Sequence, residues 1–335
     1  MGACNVHVST AATSYARFRM VRRVTLIANV RAGRGSFGAV SGRLTALLQS
    51  RGWAVSIART TANVGSAQML AAEAARCCDL VIACGGDGTV NEVLQGIAGS
   101  NCHLGVLPFG TANALARNLH LPLDPVLALE KLLTYRAREI PLGQTQNERG
   151  SHYFTVMTGA GPDGGLAFEL GRDNKARYGR HAYYAAAAWH FLTRRFPVFK
   201  VEYRCLDSDL WQSRLATALM ISRIPDLGGG FTGLTRTSRL HHPYLLLQLI
   251  ASPARLAFPA WFLCGRLHLE RLNPFLTIHQ VEECRCTPLS LPSNVRSQVD
   301  GEAIGLIPIH IRLAAVTAWL LMPPMTQGSW SSQES

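Results

Sequence analysis

The chain has 335 residues, 48% of them apolar, and carries a formal net charge of +12. That length allows two domains with cores of their own, and the charge calls for an anionic partner: nucleic acid, an anionic membrane surface or a small anionic substrate. The basic residues are spread along the chain without interleaved aromatics, and no zinc-finger or helix-turn-helix pattern occurs, so nucleic acid is set aside.

Residues 1–21 show no pattern and read as a disordered basic tail, with Met20 as a candidate start just before the first strand. Residues 24–28 read as a strand that ends in a glycine-bearing turn from Asn29 to Gly35. A helix follows, with Phe37, Val40, Leu44, Leu47 and Leu48 at helical spacing. A strand over 53–58 leads into Thr60-Thr61, and an Ala-rich helix spans 65–77. Next come an apolar strand at 80–84 and the run Gly85-Gly86-Asp87-Gly88-Thr89-Val90-Asn91-Glu92. Thr89 and Glu92 have the spacing of a capping box, so the helix is expected to start at Thr89. A strand at 103–107 runs into Pro108-Phe109-Gly110-Thr111-Ala112-Asn113, a helix passes through Leu115 and Leu119, and Asp124-Pro125 opens another ending near Tyr135.

This alternation implies a parallel sheet with helices on both faces. Right-handed crossovers bring the carboxyl ends of the strands to one edge, where such sheets bind ligands. Three polar, glycine-bearing turns lie on that edge: 29–35, 85–89 and 110–113. Glycines admit a bulky anion close to the backbone, and N–H groups at a helix start point at it. Asp87 beside phosphates argues for a cation between them, magnesium held directly or through water. There is no P-loop, and no Gly-x-Gly-x-x-Gly follows the first strand.

From about residue 138 the pattern changes to strands at 153–157, 198–205, 215–221, 245–250, 275–281 and 307–311, with helices at 178–195 and 254–267. Asp300-Gly301 reads as a hairpin turn. The nine cysteines are scattered without metal-site spacing and read as reduced thiols. No signal-peptide core and no run of about 18 apolar residues occurs; the nearest run, 244–264, is broken by Pro253, Arg255 and Pro259. The expectation is a cytoplasmic protein, peripherally associated with a membrane at most.

Gly85-Gly86-Asp87-Gly88-Thr89-x-Asn91-Glu92, Pro108-x-Gly110-Thr111-Ala112-Asn113 and Gln298-Val299-Asp300-Gly301-Glu302, in this order, resemble the diacylglycerol kinase catalytic family, which includes sphingosine and ceramide kinases and bacterial soluble lipid kinases. The resemblance covers roughly residues 22–325. It implies an α/β fold with two parts: an N-terminal parallel-sheet ATP-binding domain at 22–138, rejoined by 313–325, and a C-terminal β-rich, sandwich-like lipid-binding domain at 139–312. It implies ATP and Mg2+, with Gly85, Gly86, Asp87, Gly88, Thr89, Val90 and Asn91 on the phosphates. Asn29, Thr61, Gly110, Thr111 and Asn113 would complete the nucleotide site. Asp87 would organise metal and phosphates, Glu302 would be the general base, and Asp163, after Gly159-Ala160-Gly161-Pro162, would meet the lipid head.

Three positions depart from the pattern. Val30 stands where the first loop usually has Pro, and Pro141 where a strand usually opens with Asp. The family completes a magnesium network with an Asp-Gly pair after a Leu; here that stretch is Leu240-His241-His242-Pro243-Tyr244-Leu245, with no carboxylate. The implied function is an ATP-dependent kinase acting on the hydroxyl of a membrane lipid, diacylglycerol first. The alternatives are a long-chain base or ceramide as acceptor, an inactive lipid-binding protein on the same fold, and a kinase of a soluble nicotinamide nucleotide. No protein partner is identifiable, and a homodimer is open.

Overall fold

Apolar strands and amphipathic helices alternate through the N-terminal part of the chain: β1 (Arg22–Ala28), α1 (Ser36–Ser50), β2 (Trp53–Arg59), α2 (Ser66–Ala74), β3 (Leu80–Gly85), α3 (Asp87–Ile97), β4 (His103–Pro108), α4 (Ala114–Asn118) and α5 (Pro125–Leu132). The computed structural model describes residues 22–29, 32, 36–162, 196–227, 238–251, 257–267, 269 and 272–324. The four strands are parallel, in the order β2-β1-β3-β4. β3 is buried at every position, as a strand covered on both faces must be. The edge strand β2 has no fully buried position. The chain leaves β1 for a neighbour on one side and returns to β3 on the other, which makes β1/β3 the topological switch point.

Helix starts follow local chemistry in one case and tertiary contacts in another. At α5 the Asp124 carboxylate accepts from the N–H groups of Val126 and Leu127, both at 2.9 Å, and Pro125 occupies the first turn. At α3 the expected capping box does not form. Gly86 is the N-cap, Asp87 opens the helix, and Thr89 lies inside the first turn. The Glu92 carboxylate instead accepts from the N–H of Ala67 at the start of α2, 3.1 Å away. Thr89 is folded against the end of β3, where a Cβ on Gly85 would lie 2.4 Å from its side chain.

The rest is β-rich: β5 (Arg136–Asn147), β6 (Gly150–Phe154), β7 (Met157–Ala160), β8 (Phe199–Cys205), β9 (Trp211–Ala216), β10 (Ala218–Ser222), β11 (Leu245–Ile250), α6 (Ala257–Leu267), β12 (Leu276–Pro288), β13 (Arg296–Val299), β14 (Glu302–Leu306) and β15 (Ile309–Met322). These strands pair antiparallel in the order β14-β13-β7-β10-β11-β12-β15. β15 joins the two halves. Its start pairs antiparallel with β12, and Trp319 and Leu320 pair parallel with His103 and Leu104 of β4. One buried cluster fills the parallel half and a second, including Phe154, Phe199, Tyr203 and Leu247, fills the β-rich half.

Several expected elements shift. The run 153–157 is two strands, because Thr155 and Val156 turn their N–H groups to Asp300. The run 215–221 breaks at Thr217, whose N–H and hydroxyl both donate to the carbonyl of Ile250. β12 and β15 run well past 281 and 311. β5 is an additional strand, and its register with β15 shifts beside Pro141, which has no N–H for the ladder. The helix expected at 178–195 and Asp163 lie outside the described residues, as does the start of the helix expected at 254–267.

Candidate active site

Asn29, at the exit of β1, and the turns after β3 and β4 meet at the carboxyl edge of the parallel sheet. β1, β3 and β4 end level with one another, with Ala28 opposite Cys84 and Gly85 opposite Pro108. Across the β1/β3 switch point, the Asn29 side-chain amide donates to the Thr89 hydroxyl at 3.1 Å. The Asp87 carboxylate bridges the β3 and β4 turns: it accepts from the N–H of Asn113 at 3.0 Å and of Ala114 at 2.7 Å, the start of α4. The two turns also touch backbone to backbone. A Cβ on Gly110 would lie 2.5 Å from the Cα of Gly86. Asn113, with φ at 48°, closes its own turn by accepting from Gly110 N–H at 2.8 Å and donating to the Gly110 carbonyl at 2.7 Å.

The first intrahelical bond of α3 runs from Val90 N–H to Gly86 O at 3.1 Å. The N–H groups of Asp87, Gly88 and Thr89 precede it, so they point out of the helix start along its dipole. N–H groups so placed at a helix start favour negative charge.

A hairpin from the β-rich half docks on the flank of the same helix. Asp300 and Gly301, with φ of 48° and 82°, form the tight turn between β13 and β14. The Asp300 carboxylate accepts from the Asn91 amide at 2.8 Å and from the N–H groups of Val156 and Met157 at 3.1 and 2.9 Å, with Thr155 at 3.4 Å. Burial pushes this carboxyl up to about 6, against donors that pull it down. One helical turn along, Gln95 and Tyr153 exchange two hydrogen bonds of 2.8 and 2.9 Å. α3 therefore carries the glycine turn at its tip and the hairpin on its side. Glu302, half-buried, opens β14 two residues beyond Asp300.

The diacylglycerol kinase catalytic domain model matches residues 23–145. A diacylglycerol kinase of Bacillus subtilis (strain 168) is 30% identical over 292 residues, which span 86% of this chain and 92% of that one. The chain belongs to the diacylglycerol kinase family. A diacylglycerol kinase of Staphylococcus aureus (strain MRSA252) is 27% identical over 294 residues, 87% of this chain and 89% of that one. The fold is similar to a crystal structure of a diacylglycerol kinase from Bacillus anthracis str. Sterne, with a TM-score of 0.70 at 20% identity over 90% of this chain and 98% of that one. The protein is an enzyme, a lipid kinase of this family.

Within this kinase the residues singled out from sequence do not all fall in one place. Asn29, Gly85, Gly86, Asp87, Gly88, Thr89, Gly110 and Asn113 meet at the joined turns. Thr111, exposed, lines a cleft of about 380 Å3 beside the β4 turn, together with Gly110, Asn113, Val40, Arg117 and Leu123. Thr61 lies at the exit of the edge strand, where its N–H is held by the Ser66 hydroxyl at 2.8 Å. Val90 points into the core, and the Asn91 amide donates to Asp300 of the hairpin and to the Tyr153 carbonyl on β6. Asp300, Gln95 and Tyr153 carry no functional role in the sequence reading: Asp300 reads there only as part of a hairpin turn, and the partners lie 209 and 58 residues away.

The magnesium that the resemblance implies fits one of its two positions. Asp87 supplies a carboxylate, the oxygen ligand magnesium prefers, at the head of the helix whose N–H groups would receive nucleotide phosphates. Among the described residues no cluster of three His, Cys, Asp or Glu side chains could hold an ion by itself. At residues 240–245 the chain offers no carboxylate, and the loop carbonyls are engaged by an arginine.

Proposed function

We propose that this enzyme transfers the γ-phosphoryl group of ATP to the hydroxyl of a membrane lipid, diacylglycerol being the favoured acceptor and phosphatidic acid the product. The observation that carries this reading is the Asp300–Asn91 bond, which docks the Glu302 hairpin on the helix whose tip is the glycine turn. Phosphates would lie on the N–H groups at the start of α3, with Asn29 and Asn113 shaping the turns around them. Magnesium supplies charge neutralisation on the phosphates when bound, and Asp87 would hold its water shell. Glu302 takes the proton of the lipid hydroxyl as that oxygen bonds to the γ-phosphorus, the bond to the β,γ-bridging oxygen breaks, and ADP leaves.

The B. subtilis and S. aureus relatives are named diacylglycerol kinases, which favours that acceptor over a long-chain base or ceramide. No described helix is long and apolar enough to cross a membrane. The +12 charge suits an anionic bilayer surface, where each nearby Lys or Arg contributes about 1 kcal/mol. The enzyme would work there as a peripheral protein, drawing its substrate into the β-rich half. A panel of diacylglycerol, sphingosine, ceramide and NAD in mixed micelles with ATP and magnesium tests the reading. Phosphatidic acid as the main labelled product is expected. Label on NAD alone, or on no acceptor, would reject it.

A further inference from the structure

The stretch that departs most from the family pattern, residues 240–245, is organised around a side chain from elsewhere. Arg223 directly follows β10, and its side chain is 1% exposed. Its Nη1 donates to the carbonyls of His242 at 2.9 Å and Tyr244 at 2.7 Å. Its Nη2 donates to those of Pro141 at 2.8 Å and Leu240 at 2.6 Å. Each terminal nitrogen of a guanidinium has two hydrogens, so all four reach a carbonyl. Among the described residues the Nε–H finds no partner. No carboxylate stands among the four acceptors. Burial lowers the guanidinium to about 10, which leaves it charged at neutral pH.

Carbonyl oxygens converging on one point are also what a hard cation takes. The resemblance places a metal network at this loop, yet the residues do not fit one. Burial and the neighbouring arginines push both His241 and His242 down, His242 to about 4. Neutral imidazoles are poor ligands for an ion that prefers oxygen. A divalent ion taking these carbonyls would also face a fixed guanidinium across a few ångströms of protein interior, where like charges repel strongly.

We propose that the guanidinium of Arg223 is the resident cation of this seam, standing where a loop metal would stand, so that residues 240–244 are fastened to β5 without a divalent ion. The seam borders both halves. Ile224 and Leu240 belong to the core of the parallel half, and β10 and β11 to that of the β-rich half. Three residues past Arg223, the main chain of Asp226 exchanges bonds of 2.5 and 3.2 Å with Asn118 of α4, the helix whose start is held by Asp87.

The test uses the full chain without nucleotide. Elemental analysis after dialysis against a chelator should find no stoichiometric divalent metal. The wild type should melt at the same temperature in chelator and in millimolar magnesium. Arg223→Met leaves four carbonyls without donors and should lower Tm by ~5 °C or more. Arg223→Lys keeps a cation with three donors and should fall between the two. A bound stoichiometric metal, a wild-type Tm that chelator lowers, or a Lys variant no better than Met would overturn the proposal. If neither variant folds, the wild-type measurements decide alone. None of these readouts depends on phosphoryl transfer, so this inference and the proposed function can fail separately.

Discussion

Asp300 holds a buried negative charge at the contact between the two halves, and that charge has a cost. Burial raises its carboxyl to about 6, above the ordinary 3.8, so the folded chain holds this proton more tightly than the unfolded chain does. Stability from that proton is fully present below about pH 4 and is lost as pH rises through about 6; two units correspond to about 3 kcal/mol. His242, pushed down to about 4, acts in the opposite sense over the same window. It is common to the wild type and to Asp300→Asn, so it cancels when the two are compared. Denaturant unfolding of both proteins from pH 4 to pH 7 should show the wild type losing about 3 kcal/mol relative to the variant. A difference that stays flat with pH would mean that the carboxylate is ionised throughout, its four N–H donors outweighing its burial.

At the scale of elements, the edge depends on two turns packed without side chains between them. A Cβ on Gly110 meets the Gly86 backbone at 2.5 Å and the Asn113 side chain at 2.9 Å, so Gly110→Ala must push the β3 and β4 turns apart. The turns lie at the rim of the sheet, so the cores should tolerate this. Turnover should fall by about 100-fold, the effect of an ångström-scale misplacement, with a much smaller change in melting temperature. Steady-state kinetics beside thermal melting checks this, and near-normal kcat/KM would show that the contact between turns is not needed.

The sequence shows where strands β1 to β4 run and where their turns converge, because buried parallel strands are short apolar runs punctuated by glycine. The Asp300-Gly301 hairpin was legible for the same local reason. What failed were expectations whose outcome is decided at long range. Thr89 and Glu92 have capping-box spacing, but Asn29, 60 residues away, takes the Thr89 hydroxyl, and Ala67 takes the carboxylate. β5 carries Arg, Glu and a proline and has no clean alternation; it is a strand because β15 pairs with it. The Arg223 cage was invisible, since its four carbonyls belong to backbone that any sequence supplies.

Across the whole molecule, one sheet runs from the parallel half into the β-rich half through β15, and α3 is hydrogen-bonded to the β-rich half by Asn91 and Gln95. The glycine-bearing turns and the Glu302 hairpin thereby share one helix. A phosphoryl donor and a lipid acceptor bound on the two sides would meet there. The most direct measurement is transfer of radiolabelled γ-phosphate from ATP to diacylglycerol in mixed micelles by the wild type and Glu302→Ala, with nucleotide binding measured on both. Label should appear in phosphatidic acid with the wild type and drop by at least ~100-fold in the variant, while both bind ATP equally. Full transfer by Glu302→Ala would contradict the assignment of the hydroxyl's proton to that carboxylate, and ATP binding without transfer by the wild type would contradict the kinase reading of the shared helix.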